Sequence, residues 1–121
     1  MNLIIEALFI GLYTSILSLL PLHKINIYIY LFIIGFLKHF IGYYIGIHNY
    51  YCNIYNKSVL ISNKIYIDSI YEGLVFIIIG IIVKRLLNLN LFKTFFITGF
   101  LFHIIAEYIY LHKFFIDYRC I

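Results

Sequence analysis

Phe32-Ile-Ile-Gly35-Phe-Leu-Lys38-His39-Phe-Ile-Gly42-Tyr-Tyr-Ile-Gly46-Ile-His48 aligns without a gap on Phe96-Ile-Thr-Gly99-Phe-Leu-Phe-His103-Ile-Ile-Ala106-Glu107-Tyr-Ile-Tyr-Leu-His112, with ten of seventeen positions identical. Shared Ile and Phe come cheaply in a chain so rich in them. The register of Gly35 with Gly99, His39 with His103 and His48 with His112 does not. A fainter echo precedes each copy, Ile4-Ile-Glu6-Ala-Leu8 and Ile70-Tyr-Glu72-Gly-Leu74. Self-similarity of this kind dictates architecture. It predicts two tandem helical hairpins related by internal duplication: repeat 1 over about 1–50, a connection over about 51–65, repeat 2 over about 66–114, then a short C-terminal tail. A two-span unit re-enters a membrane in the same orientation, so the repeats would be parallel and the second and fourth spans equivalent. The competing reading is two unrelated aromatic-rich spans in a biased sequence.

The surroundings of that repeat decide its solvent. Of the 121 residues 64% are hydrophobic and 12% charged, with a mean hydropathy of +1.01. An ordinary soluble domain has about 45–50% apolar and about 25% charged residues, and so short a chain has too little interior to hide this apolar stock. Lipid removes the difficulty, since a helical span needs about 20 mostly apolar residues. Four stretches qualify, at about 3–20, 27–47, 67–83 and 91–111, the first stopped by Pro21 and the third by Lys84-Arg85. The expected fold is all-α, an integral membrane four-helix bundle forming one domain, with a more polar connection over 48–64. The first stretch reads as a retained span: Glu6 lies within it, no basic segment precedes it and no small-residue cleavage site follows.

Even parity places both termini and the central connection on one face. That face carries Lys57, Lys64, Lys113 and Arg119; the other has Lys24, Lys84, Arg85 and Lys93 in much shorter loops. The positive-inside rule acts most strongly on short loops, so these are expected to be cytoplasmic. Cys52 and Cys120 would then share the opposite side, where an oxidising compartment permits a disulfide, or remain two separate thiols. Asn56-Lys57-Ser58 is a glycosylation sequon on that side. The net charge of +4 is spread over all the loops, whereas nucleic-acid binding requires a clustered basic patch. The expected partners are the lipid bilayer and either a second copy or another membrane or capsid protein, with no nucleic acid.

Gly35, Gly42 and Gly46 fall on one helical stripe, and Gly99 and Ala106 repeat its first two positions, a pattern that lets helices approach closely in lipid. His39 and His103 sit beside this stripe and are expected to face each other or a common interior near mid-membrane. His48 and His112, half a turn out of phase, read as interfacial. Glu107 lies one turn from His103 on the same face. A charge at the centre of a span costs roughly 2.5–3.5 kcal/mol, so Lys38 needs a partner; Glu107 and Glu6 are the candidates. The polar set Glu6, Lys38, His39, Glu72, His103 and Glu107 is therefore the expected site. It admits four roles: a network fixing helix pairing, which the residues favour; a proton or ion conduit; a metal site using His39, His103 and Glu107; or axial ligation of haem by His39 and His103. No nucleophile elbow, phosphate loop or zinc-finger spacing is present, so neither an enzyme nor a cofactor is expected.

The stretch Lys38-His-Phe-Ile-Gly-Tyr-Tyr-Ile-Gly-Ile-His-Asn-Tyr-Tyr-Cys52, in a chain of A+T-rich coding composition, resembles small multi-spanning membrane proteins of nucleocytoplasmic large DNA viruses. The resemblance implies a viral structural protein of an inner virion membrane or a remodelled host endomembrane, and it carries no catalytic residues with it.

Overall fold

The computed structural model describes residues 2–21 and 24–121. Every regular element is helical: α1 (Leu3–Leu17), α2 (Ile27–Tyr44), α3 (Ile47–Ile54), α4 (Lys64–Leu87), α5 (Leu91–Tyr108) and α6 (Leu111–Arg119). Asparagine marks three of the starts. The side chains of Asn2, Asn26 and Asn90 accept from the backbone N–H of Ile4, Tyr28 and Lys93, satisfying donors that the first turn leaves unpaired. Asn88 ends α4 in a left-handed conformation at φ 47°. Residues 22 and 23, between α1 and α2 in the sequence, lie outside the described residues.

Three helices, α2, α4 and α5, are long and apolar enough to cross a membrane; α1, with 15 residues, is shorter. The outward faces carry apolar side chains in quantity, among them Ile5, Phe9 and Ile16 on α1 and Ile78 and Ile82 on α4, each more than half exposed. Such a surface fits a hydrocarbon solvent and not water.

α3 and α6 correct the expected loop over 48–64 and the expected short tail. In both places the long helix breaks at a residue of positive φ, Gly46 at 93° and Tyr110 at 61°, which are aligned positions of the two similar stretches. A left-handed residue ends the i to i−4 ladder and turns the chain, so α3 folds back on α2 and α6 on α5. Gly46 is thus a helix terminator and not a packing residue: a Cβ there would meet nothing within 4 Å.

The long helices pair α2 with α4 and α1 with α5, while α1 with α2 and α4 with α5 touch less. Both tight pairs are antiparallel. On α2, Gly35 approaches Gly73 so closely that a Cβ would lie 2.9 Å from the Gly73 Cα and 2.7 Å from the Phe76 Cβ. Gly99 of α5 sits against Thr14 and Ile10 of α1, and Ala106 is buried. Gly42 faces α3 instead, with the His48 Nε2 3.6 Å from an added Cβ. The partner residues Gly73, and Gly11 opposite Phe96, escaped the sequence reading, although Ala7-xxx-Gly11-xxx-Ser15 and Ser69-xxx-Gly73 have the small-residue spacing that brings helices together. Gly35→Leu is expected to separate α2 from α4 and lower the thermal midpoint in detergent at a cost of about 1–3 kcal/mol or more; Gly46→Leu should leave that interface intact.

Tyr30, Leu31, Ile34, Phe76 and Phe95 form the principal core, filling the half of the molecule nearer the α1–α2 and α4–α5 turns. Tyr30 donates to the main-chain oxygen of Ser18, and Thr14 and Thr98 donate to the carbonyls of Ile10 and Thr94, each 2.7 Å away. These buried hydroxyls are spent on main-chain oxygens, Thr14 and Thr98 within their own helices and Tyr30 across to the end of α1.

Candidate functional site

The carboxylates, the imidazoles of the described residues and Lys38 gather in the other half, roofed by α3 and α6. The roof is one cross-linked unit. A disulfide joins Cys52 to Cys120, with 5.6 Å between their Cα atoms. Beside it Ser58 and Ile121 exchange backbone hydrogen bonds of 2.9 and 2.8 Å, and the Leu60 N–H donates to the Arg119 oxygen at 2.7 Å. Ile116, Val59 and Phe115 pack around the sulfurs. Arg119 makes two bonds to Asp68 of α4, from Nε at 2.7 Å and from Nη2 at 3.0 Å, and these hold its guanidinium above its ordinary pKa. Asn56 is exposed at φ 58° beside this roof.

Two acid–base groups lie beneath it. Glu72 of α4, nearly fully buried, receives the Lys38 ammonium on one oxygen and faces the His39 Nδ1 at 2.5 Å on the other. Lys38 therefore has Glu72 as its partner, and neither Glu6 nor Glu107. The reason is the helix pairing: α2 lies along α4, so a carboxylate 34 positions away in sequence arrives opposite Lys38. Its ammonium also lies over the Phe102 ring, 4.8 Å from the centroid, an attraction that strengthens away from water. The second group joins Glu6 of α1 to His103 of α5, Oε2 to Nε2 at 3.2 Å, with the Tyr51 hydroxyl 3.5 Å from the same nitrogen. Lys38 has no counterpart there: the aligned residue is Phe102.

Glu107 lines the same cleft as His103 but does not pair with it. It is 52% exposed and binds His112 at 2.6 Å. His39 and His103 do line a common cleft, yet each faces its own carboxylate instead of the other ring. His48 and His112 were placed half a turn out of phase by assuming straight helices. Because the chain turns back at Gly46 and Tyr110, they return to pack, tilted, with ring centroids 4.3 Å from His39 and 4.6 Å from His103. Phe115 of α6 packs on His48, and Tyr51 of α3 stacks on His112 at 5.5 Å. Only a tertiary contact could have shown these pairings.

The cleft these groups line measures about 630 Å³, within the roughly 300–1,000 Å³ range of small-molecule sites. Lys38 lies six residues before the end of α2, so the groups sit roughly 9 Å inside the helix ends. Among the described residues no group of three or more His, Cys, Asp or Glu side chains is placed to hold a metal ion. The proposed trio of His39, His103 and Glu107 is split between three different carboxylate pairings.

His48, on α3 beyond the end of the long α2, is buried with its Nδ1 unpartnered among the described residues. Burial, and then the neighbouring His39, push its pKa down to about 3 from 6.5; Lys38 acts in the same direction, and Glu72 and Asp68 oppose it. The unfolded chain therefore takes up a proton near pH 6.5 that the folded chain refuses. Stability from this site is complete above about pH 6.5 and is lost as pH falls toward 3, by up to about 1.4 kcal/mol per pH unit. Thermal midpoints in detergent between pH 7.5 and 5 should fall less steeply for His48→Phe than for the parent; equal slopes would contradict a neutral buried His48. Burial likewise raises the Tyr51 phenol above its ordinary pKa, keeping it a neutral donor.

Compared with known protein families, curated proteins and solved structures, the chain matches none of them.

Proposed function

We propose that this chain is a structural component of a membrane: a four-span bundle arisen by duplication of a helical hairpin, whose ionisable groups are used to lock its own halves together. The observation that carries the reading is the destination of the buried charges. Glu6 reaches from α1 to His103 on α5, and Glu72 from α4 back to Lys38 and His39 on α2. Cys52–Cys120 and Asp68–Arg119 likewise tie the first half of the chain, or the start of α4, to its end. In lipid, where apolar surface gives helices no reason to associate, such polar contacts and small-residue seams specify packing.

The same relations support the duplication. Glu6 with His103 and Glu72 with His39 are exchanged counterparts, as are Tyr51 on His112 and Phe115 on His48. Each hairpin thus supplies the carboxylate or the aromatic ring that the other hairpin's histidines receive. At 15 residues α1 spans about 22 Å, short of the roughly 30 Å hydrocarbon core, and its crossing calls for local thinning of the bilayer. The disulfide favours an oxidising compartment for the roof and the cytoplasm for the short loops at Lys24 and Lys84–Lys93. In keeping with the resemblance of residues 38–52, the membrane we have in mind is that of a virion or of a host compartment remodelled for assembly, with a second copy or a capsid protein as partner.

A conduit finds less support, because the Tyr30–Phe95 core fills the half of the bundle opposite the cleft. Reconstitution into liposomes tests the choice. A structural protein resists carbonate extraction, leaves proton and cation leak at the level of empty vesicles, and cross-links to itself or to one partner. A proton flux abolished by His103→Ala in folded protein would replace this reading with a conduit.

A further inference from the structure

The charges of the cleft do not balance, and the imbalance points to a ligand. Lys38 is committed to Glu72, and Arg119 to Asp68. Among the described residues Glu6 and Glu107 have imidazoles only as paired groups. Counting only Lys, Arg, Asp and Glu among the described residues, the cleft therefore keeps negative charge, and of the two carboxylates Glu6 is the enclosed one, 13% exposed against 52% for Glu107. Around Glu6 the walls are largely apolar and aromatic, with Tyr13, Tyr51 and Phe102 presenting rings. Further out the cleft is bordered by side chains that are themselves exposed, including Ile67, Tyr71, Val75 and Ile109. An exposed apolar rim on a helix bundle gives entry from the hydrocarbon and not from water.

We propose that this cleft is a binding site for an amphiphilic amine, whose ammonium pairs with Glu6 beside the Tyr51 ring while its chain lies along the apolar wall toward Ile67 and Val75. An ammonium supplies the missing positive charge, donates to a carboxylate, and is attracted to aromatic faces in a site away from water. An anionic amphiphile fits worse, since it would meet Glu6, Glu72 and Glu107 while Lys38 is already paired. A bare divalent ion fits worse too, lacking three converging ligands among the described residues. The site goes beyond the structural role proposed above, and neither depends on the other.

The chain contains no tryptophan, so Ile67→Trp places a single fluorescent reporter at the rim. The protein in lipid nanodiscs is titrated with octylamine, octanol and octanoate, with empty nanodiscs as the partition control. Octylamine is expected to give a saturable change, with affinity roughly tenfold above octanol, the equivalent of one charge-assisted contact of about 1.4 kcal/mol, and octanoate none. Glu6→Gln should remove that advantage, whereas Asp117→Asn, which removes a carboxylate outside the cleft, should leave it at the parent's level. Val75→Phe, which narrows the cleft with every charge intact, should weaken octylamine if Glu6→Gln does not fold. Equal affinity for octanol and octylamine, preference for octanoate, absence of saturation, or octylamine binding undiminished by Glu6→Gln or by Val75→Phe would each overturn the proposal.

Discussion

Glu72→Leu is expected to be the most damaging single substitution in the chain. Lys38 and Glu72 are 10% and 7% exposed, so removing the carboxylate strands an ammonium between the Phe76 and Phe102 rings with no countercharge. Breaking a buried pair from one side costs about 3–5 kcal/mol, because the remaining ion keeps its desolvation penalty and loses its attraction. Folded yield and thermal midpoint in detergent should collapse together. Replacing both partners removes the penalty as well as the bond, so Lys38→Leu with Glu72→Leu should recover most of the loss. A harmless Glu72→Leu would mean that Lys38 has another acceptor. A double variant as poor as the single one would point to His39, the other group facing Glu72, as the critical partner.

The second large effect is expected at the roof. Cys52 and Cys120 are separated by 68 positions, and a cross-link closing a loop of that length restrains the unfolded chain by about 4 kcal/mol on the loop-entropy estimate. Cys120→Ser should lower the thermal midpoint and, more specifically, free α6 from α3, leaving the backbone bridge at Ser58 and Ile121 and the Asp68–Arg119 pair to hold the segment. Limited trypsin digestion reads this directly: cleavage after Lys113 and Arg119 should speed up in the variant or after reduction, while Lys84 and Arg85 on the opposite turn stay as they were. Unchanged cleavage in the roof would mean that packing of Ile116 and Phe115, and not the sulfurs, carries α6.

How far the site was legible can be followed residue by residue. Glu6, Lys38, His39, Glu72 and His103 stood out because ionisable residues within apolar helices are costly and need a reason. The wrong partner was assigned to Lys38 because sequence distance says nothing of which helices lie side by side. Glu107 was grouped with His103 on local helical phase, which holds along α5 but names no partner: α5 ends at Tyr108, and the turn at Tyr110 brings His112 to Glu107 instead. Gly46 was a visible sign of such a break, but it was read as part of a packing stripe. Tyr110 gave no sign of its own, since a tyrosine at positive φ has no local preference to announce it. Its alignment with Gly46 was the one available hint.

From the sequence alone follow the all-helical character, four apolar stretches, three of which form long apolar helices, and the residue types that gather in the cleft. These depend on hydropathy, capping asparagines and the cost of charge in apolar surroundings, all properties of neighbouring residues. Tertiary structure alone decided that α2 lies on α4 and α1 on α5, that the chain turns back at Gly46 and Tyr110 to roof the cleft, and that Glu72 meets Lys38 while Glu6 meets His103. Those outcomes depend on which surfaces fit most closely. That is a competition among many helix pairings separated by a few kcal/mol, and no local pattern in the chain encodes its result.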